Sequence, residues 1–180
     1  MTRVPPLDPE TASTPVRALL DDVDRLFGRS WIITRVMAHA PALLATMITL
    51  WERFATSSLS DMDREIIAME MAVANRCHYC VPAHRYAARQ RRLDLAPLEA
   101  IARGETLSAG RPAVVQALVR RLVETRGALS DDEFRMFQEQ GITASQMIDT
   151  IGEIGHCTIT NYMNRLAKTP LDDFLEPYRQ

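Results

Sequence analysis

Lysine, glycine and aromatic residues are scarce in this chain of 180 residues, and each scarcity excludes some functions. Lys168 is the one lysine among 21 basic residues and lies in a polar stretch, which argues against Schiff-base chemistry. Only 7 glycines, 6% aromatic residues and no sustained alternation of apolar and polar residues argue against a β-sheet protein. A net charge of −2 argues against binding to nucleic acid or anionic membranes.

Long apolar runs are also lacking. The longest charge-free stretch, residues 36–51, contains His39 and Pro41 and is too short to span a bilayer. The first seven residues contain no apolar core of signal-peptide length. Three cysteines, of which Cys77 and Cys80 form a close pair and Cys157 stands apart, do not resemble a secreted disulfide framework. We therefore expect a cytoplasmic protein that binds neither membranes nor nucleic acid.

Apolar residues recur with helical spacing along most of the chain, which predicts an all-α fold. Residues 1–13 are rich in Pro and Thr and predict an N-terminal tail, whereas residues 14–180 predict a single domain. Ser60 with Asp63, and Ser130 with Glu133, predict capping boxes at two helix starts. Predicted helices cover residues 14–27, 31–39, 42–55, 61–74, 97–103, 113–125 and 144–167. We expect the last of these to break near its two glycines, at residues 152–155.

One segment concentrates the reactive side chains. Eleven residues separate Glu65 from Cys77-His78-Tyr79-Cys80, and His84 follows three residues later. Two cysteines with this spacing can close a disulfide or share a metal ion. His84 shares a helix face with Cys80, which suits a base that lowers the pKa of a thiol. Pro82 favours a helix that begins near residues 79–81, where the helix dipole stabilises thiolates.

Glu65 can be placed by counting along a helical hairpin. If the chain reverses near residues 75–76, Glu65 lies about ten residues before the bend and His84 about eight residues after it. At the helical rise of about 1.5 Å per residue, their positions along the helix axes differ by only about 3 Å. The carboxylate can then orient the imidazole and complete a proton relay to a thiol. The alternative is that Glu65 belongs to a solvated helix face. A solvated face is also our interpretation of the arginines that follow, Arg85, Arg89, Arg91 and Arg92.

The pattern Glu-x11-Cys-x-x-Cys-x3-His, with Tyr79 inside the cysteine pair, resembles the AhpD-like alkylhydroperoxidase group of the carboxymuconolactone decarboxylase family. The stretches that begin at Val36 and Asn161 resemble helices that flank the motif in peroxidase-related members. This resemblance implies an AhpD-like helical bundle with the CxxC pair at the start of a helix. It also implies a homo-oligomer that reduces (alkyl)hydroperoxides in antioxidant defence.

The resemblance further implies a role for each residue of the motif. Cys80 would be the peroxidatic thiol and Cys77 the resolving one, with Glu65 and His84 as the proton relay. The cycle would form a sulfenic acid and then a disulfide, without a cofactor or metal. An external dithiol, or a reductant protein of lipoyl type, would restore the thiols.

Residues 78 and 79 depart from the best-known peroxidases. Those proteins carry a histidine immediately before the second cysteine, where this chain has Tyr79, and its histidine is instead His78. We therefore treat Tyr79 and His78 as possible accessory residues.

Two other functions remain open from the sequence. One is a general thiol-disulfide oxidoreductase, which would use the same cysteines without specificity for peroxides. The other is a non-enzymatic scaffold in which zinc binds the cysteine pair together with His84, His78 or the distant His156-Cys157 pair. For the homo-oligomer, the interface expected from the sequence is the apolar face of the helix at residues 42–51.

Overall fold

The computed structural model describes residues 2–179, and this part of the chain is helical without any strand. The predicted all-α class is therefore confirmed. None of the helices in residues 2–179 is long and apolar enough to cross a membrane. The elements are α1 (Thr14–Phe27), α2 (Ile32–Met37), α3 (Pro41–Phe54), α4 (Asp61–Ala74), α5 (Cys80–Gln90), α6 (Ala96–Ala102), α7 (Gly110–Thr125), α8 (Asp131–Glu139), α9 (Ala144–Ala167) and a 3₁₀ helix (Asp173–Tyr178).

Capping boxes fix the start of three helices. Ser60 caps α4 and Ser130 caps α8, as predicted, with Asp63 and Glu133 as their respective partners. Thr143 and Gln146 form a third box at the start of α9. In each box a side-chain oxygen satisfies a backbone N–H group that would otherwise lack a partner in the first helical turn.

Helix α9 runs without interruption for 24 residues, so the predicted break near its glycines is wrong. A glycine inside a helix costs only about 1 kcal/mol, which packing of α9 against α4 outweighs. Gly152 also has a packing role, because a Cβ atom there would lie 2.5 Å from Cζ of Phe54. This close approach brings the end of α3 against the middle of α9.

Helix α4 is the centre of the fold. It packs against α5, α6, α7 and α9. Its residues Ile66, Ile67 and Met69 are fully buried and belong to the largest apolar cluster, together with Leu118 of α7 and Cys157 of α9. Because α4 is enclosed on several sides, even three of its acidic residues are buried, namely Asp63, Glu65 and Glu70.

A second apolar cluster joins α1 to α3. Leu20 and Val23 of α1 pack with Leu44 and Met47 of α3, and all four are buried. The apolar face of α3 is thus covered within one chain, so the expectation that this face forms an interface between copies is wrong.

Exposed apolar residues instead follow one side of α9. Their relative exposures range from 36% to 69%, and they recur every three, four or eight residues. Such spacing places them on one helix face. This surface, called here the exposed α9 face, consists of Ile148, Ile151, Ile159, Tyr162 and Leu166.

The segment that precedes α1 lies against the helices. The backbone N–H of Arg3 donates to the carbonyl of Ala167 at 2.8 Å. Leu7 and Arg35 are joined twice, because the N–H of Leu7 donates to the carbonyl of Arg35 and Nε of Arg35 donates to the carbonyl of Leu7. These bonds tie the segment to α2 and to the end of α9.

Candidate active site

The α4–α5 hairpin brings the motif residues together. The turn after α4 contains Arg76, whose φ of 51° lies in the left-handed region. Helix α5 then begins at Cys80, within the predicted range. Cys77 and Cys80 are joined by a disulfide bond with a Cα–Cα distance of 5.3 Å. The disulfide means that the structure represents the oxidised state of the pair. Both cysteines are buried.

Glu65 and His84 face each other across this hairpin. Oε2 of Glu65 lies 2.9 Å from Nδ1 of His84, and Arg91 donates to the other carboxylate oxygen. Glu65 is only 3% exposed, so the solvated-face alternative for it is wrong. The same interpretation is wrong for Arg85, which is buried and paired with Glu99. Arg91 is exposed, as predicted, and pairs with Glu65 from the solvent side.

The contact with Glu65 selects the tautomer of His84. An ionised carboxylate can only accept hydrogen bonds, so Nδ1 of His84 carries the proton that it donates. In the neutral imidazole, the lone pair is then on Nε2. Nε2 is the nitrogen that can exchange a proton with a reactant.

Cys80, Glu65 and His84 line one pocket of about 360 Å³. Cys77 does not belong to the lining, so only one sulfur of the pair borders the pocket. The wall opposite the hairpin is aromatic and comes from α1, the loop before α2, and α3: Phe27, Trp31, Trp51 and Phe54. Such a pocket suits an apolar reactant that meets its few polar groups at the hairpin.

Two buried asparagines of α9 donate to the sulfur of Cys80. Nδ2 of Asn161 lies 3.2 Å from Sγ, and Nδ2 of Asn164 lies 3.4 Å from it. Asn75 orients the first amide by donating to Oδ1 of Asn161 at 3.0 Å. The sulfur of Cys77 accepts a different bond, from the backbone N–H of Cys80 at 3.2 Å.

Tyr79 and His78 both bind the segment after α9. The hydroxyl of Tyr79 donates to the buried carboxylate of Asp172, which also accepts the backbone N–H of Ile32 at 3.1 Å. Burial raises the pKa of Tyr79, and the negative charge of Asp172 raises it further. His78 is exposed, and its Nε2 lies 2.8 Å from the carbonyl oxygen of Thr169. Neither accessory residue contacts Glu65 or His84 through a hydrogen bond.

Comparison with known proteins agrees with this geometry. Residues 41–119 match the model of the carboxymuconolactone decarboxylase family. A peroxidase-related protein from Ralstonia eutropha JMP134, described as an alkylhydroperoxidase AhpD core, superimposes with a TM-score of 0.79 at 18% identity, over 97% of this chain and 94% of that one. The chain has the AhpD-like helical fold, and its residues 41–119 resemble the carboxymuconolactone decarboxylase family. The predicted AhpD-like bundle is thus confirmed.

Two further solved structures share the AhpD-like fold. A peroxidase-related protein from Silicibacter sp. TM1040 has a TM-score of 0.78 at 18% identity, over 98% of this chain and 96% of that one. The debrominase Bmp8, solved as a variant in complex with 2,3,4-tribromopyrrole, has a TM-score of 0.75 at 15% identity, over 99% of this chain and 96% of that one. At these identities the likeness establishes the fold alone. No curated protein matches the sequence.

This AhpD-like chain carries a second Glu–His pair on the same pocket, which the sequence analysis did not identify. Glu153 and His156 line the pocket, and with Cys157 their ligand atoms lie within 4.8 Å of one another. Nε1 of Trp51 donates to Nε2 of His156 at 2.7 Å. Nδ1 of His156 must therefore carry the proton, which it donates to Glu153 at 3.2 Å.

The hydrogen bonds of His156 do not suit a metal site, because neither ring nitrogen offers a free lone pair. Cys157 is fully buried, and burial raises the pKa of its thiol well above the ordinary value. The negative charges of Glu153 and Glu65 add to that increase. The group contains neither Cys77 nor Cys80, so it gives no support to a zinc-stapled scaffold.

Proposed function

We propose that this protein is a thiol-dependent hydroperoxide reductase in which Cys80 reacts with the peroxide. One observation carries the proposal: Cys80 shares an apolar pocket with buried Glu65 and half-buried His84, and is also joined to Cys77 by the disulfide. A nucleophilic sulfur, a proton carrier and a resolving thiol are the groups that this chemistry needs.

The proposed cycle begins with the reduced pair. Nε2 of His84 takes the proton of the Cys80 thiol. The resulting thiolate attacks the terminal oxygen of the hydroperoxide, the O–O bond breaks, and the departing alkoxide takes that proton from Nε2 of His84 to leave as an alcohol. The sulfenic acid on Cys80 is then attacked by the Cys77 thiolate, which forms the S–S bond and releases water after protonation. An external dithiol reduces this disulfide by exchange and becomes a disulfide itself.

The lining of the pocket supports the division of roles between the two thiols. A hydroperoxide in the pocket meets Cys80, whereas Cys77 is not part of the pocket lining. The bond from His84 Nδ1 to Glu65 supports a relay in which Nε2 delivers the proton. Arg91 keeps the relay carboxylate paired when the imidazole is neutral.

Peroxide consumption with dithiothreitol tests the proposal in the wild type and in Cys80→Ser, Cys77→Ser and His84→Ala. We expect Cys80→Ser to abolish turnover, Cys77→Ser to allow one reaction per molecule, and His84→Ala to slow turnover about 10²–10⁴-fold. Cys157→Ser is the matched control and should keep full activity. Unchanged turnover in Cys80→Ser would refute the proposal, and disulfide reduction without peroxide reduction would favour a general thiol-disulfide oxidoreductase.

Reductive dehalogenation of an aromatic ring is the second candidate. The aromatic wall of the pocket favours it, because a flat ring can stack against Phe27, Trp31 or Trp51 beside Cys80. The debrominase that shares this fold was solved with a brominated pyrrole. In the balanced reaction, the halogen leaves as halide, a proton takes its place on the ring, and the two thiols become the disulfide. Halide release in the same set of variants tests this activity.

We also propose that two copies associate through the exposed α9 face. Its residues are spaced nearly symmetrically about Gly155: Ile151 and Ile159 lie four residues away, and Ile148 and Tyr162 lie seven residues away. A helix with this pattern complements a second antiparallel copy of itself across a two-fold axis. Gly155 faces open space at the centre of the pattern and allows the two helices a close approach.

A further inference from the structure

The two asparagine side chains that approach Cys80 are completely buried. Asn161 and Asn164 each have 0% exposure, and each directs its amide nitrogen at the same sulfur. They come from adjacent turns of α9, whereas Cys80 begins α5. The contact therefore depends on the packing of two helices that are more than 80 residues apart in sequence.

A disulfide sulfur is a weak acceptor for these two donors, whereas a thiolate is a strong one. The same N–H groups hence stabilise the reduced, ionised sulfur far more than the oxidised one. We infer that Asn161 and Asn164 are catalytic residues that form a cradle for the Cys80 thiolate, holding the charged sulfur toward the pocket. This inference rests on the thiol redox function proposed above.

The carbonyl of Asn164 indicates that this residue serves the sulfur rather than the fold. Its Oδ1 is buried and has no hydrogen-bond partner among the described residues. A buried acceptor without a partner destabilises the folded state. Such a cost is typical of positions where chemistry, rather than stability, determines the residue.

The cradle also distinguishes the two thiols. Cys77 receives a single backbone donor, from Cys80, and neither asparagine amide contacts its sulfur. Two side-chain donors on Cys80 favour ionisation of that thiol over its neighbour. Besides Cys80, the charged and titratable groups around the pocket are Glu65 and Arg64 on α4, Tyr79 and Arg91 at the two ends of α5, His84 on α5, and Glu153 and His156 on α9. All of them remain in place when the asparagines are replaced.

The decisive test measures the pKa of the Cys80 thiol from thiolate absorbance at 240 nm, in a Cys77→Ser/Cys157→Ser background where only Cys80 titrates. We expect Asn161→Leu and Asn164→Leu each to raise this pKa by about 1–2, because each removes one charge-assisted hydrogen bond. Asn161→Asp keeps the shape of the side chain but adds a negative charge, and should raise the pKa further.

Gln116→Leu is the control, since it removes a buried amide that bonds to Glu70 and not to the pocket. It should leave the pKa of Cys80 unchanged even if it lowers stability. Asn164→Leu should fold at least as stably as the parent, because it removes the unsatisfied carbonyl. An unchanged pKa of Cys80 in both leucine variants would overturn the inference.

A redox titration with both cysteines present gives a second readout. At alkaline pH, where the thiols are ionised, we expect either leucine variant to shift the dithiol–disulfide equilibrium about tenfold toward the disulfide. Both measurements are made without peroxide. A raised pKa with no peroxidase activity would reject the proposed function and keep the cradle, whereas peroxidase activity with an unchanged pKa would reject the cradle alone.

Discussion

The exchange of Glu65 for glutamine probes the proton relay with the smallest change in shape. The carboxylate of Glu65 accepts one bond from His84 and another from Arg91, each at its own oxygen. A glutamine side chain has one carbonyl oxygen and one NH₂ group. If the carbonyl accepts the hydrogen bond from one of these two donors, the NH₂ group faces the other donor. Glu65→Gln can therefore satisfy both partners only if His84 adopts the other tautomer, with its proton on Nε2 and its lone pair on Nδ1.

The expected loss of activity follows from the charge that is removed. Without the carboxylate, the imidazolium form of His84 loses its counter-ion, and the Nδ1–H tautomer is no longer enforced. General acid–base catalysis contributes about 10²–10⁴-fold, so we expect kcat/KM for hydroperoxide to fall by about that factor. This corresponds to about 3–5 kcal/mol of transition-state stabilisation. The free energy of unfolding should fall by only about 1–2 kcal/mol, because the Arg91 side chain is 40% exposed and can be hydrated.

Glu70 provides a matched control on the same helix. It is 8% exposed and pairs with Arg120, whose side chain is 38% exposed, but it does not line the pocket. Glu70→Gln should therefore lower stability by a similar amount and leave peroxide turnover unchanged. The two variants are compared by dithiol-coupled peroxide consumption and by chemical denaturation. Equal turnover in Glu65→Gln and the wild type, or equal losses in the two variants, would refute the relay.

Three further changes test other parts of the structure. Gly152→Ala forces the ring of Phe54 away from α9; we expect destabilisation of about 1–3 kcal/mol and a changed KM for bulky hydroperoxides, measured by denaturation and kinetics. Hydrogen bonds from Ser130, and then from Arg121, lower the pKa of Glu133 to about 2, so its stabilising charge is lost as pH falls from about 4.5 toward 2. Glu133→Gln should accordingly lower the melting temperature at pH 7 but not at pH 2. Ile159→Asp should convert a dimer into a folded monomer in light scattering, and a monomeric wild type would contradict the proposed interface.

The sequence predicted those features that depend on short separations along the chain. Helix α4, from Asp61 to Ala74, was predicted with its observed bounds because a capping box marks its start and a compact turn follows its end. The contact between Glu65 and His84 was predicted from the helical rise on either side of the turn. Both features follow from backbone geometry, which nearby residues determine.

Contacts between distant segments were not predicted. Asn161 and Asn164 reach Cys80 only because α9 packs on the hairpin, and periodicity does not reveal which helices are neighbours. A signal was present, since two asparagines three residues apart are unfavourable inside a helix and call for another role. Arg85 was misjudged because a charged residue in a helix usually faces solvent, and only its pairing with Glu99 of α6 shows why it is buried.

Trapping the sulfenic acid tests the central claim most directly. Cys77→Ser protein is reduced, treated with one equivalent of an organic hydroperoxide, and labelled with dimedone before mass spectrometry of its peptides. We expect one dimedone adduct per chain, on Cys80, with Cys157 unlabelled because its thiol is buried and its pKa is raised. An adduct on Cys157 alone, or no adduct while peroxide is still consumed, would contradict the assignment of Cys80 as the peroxidatic thiol.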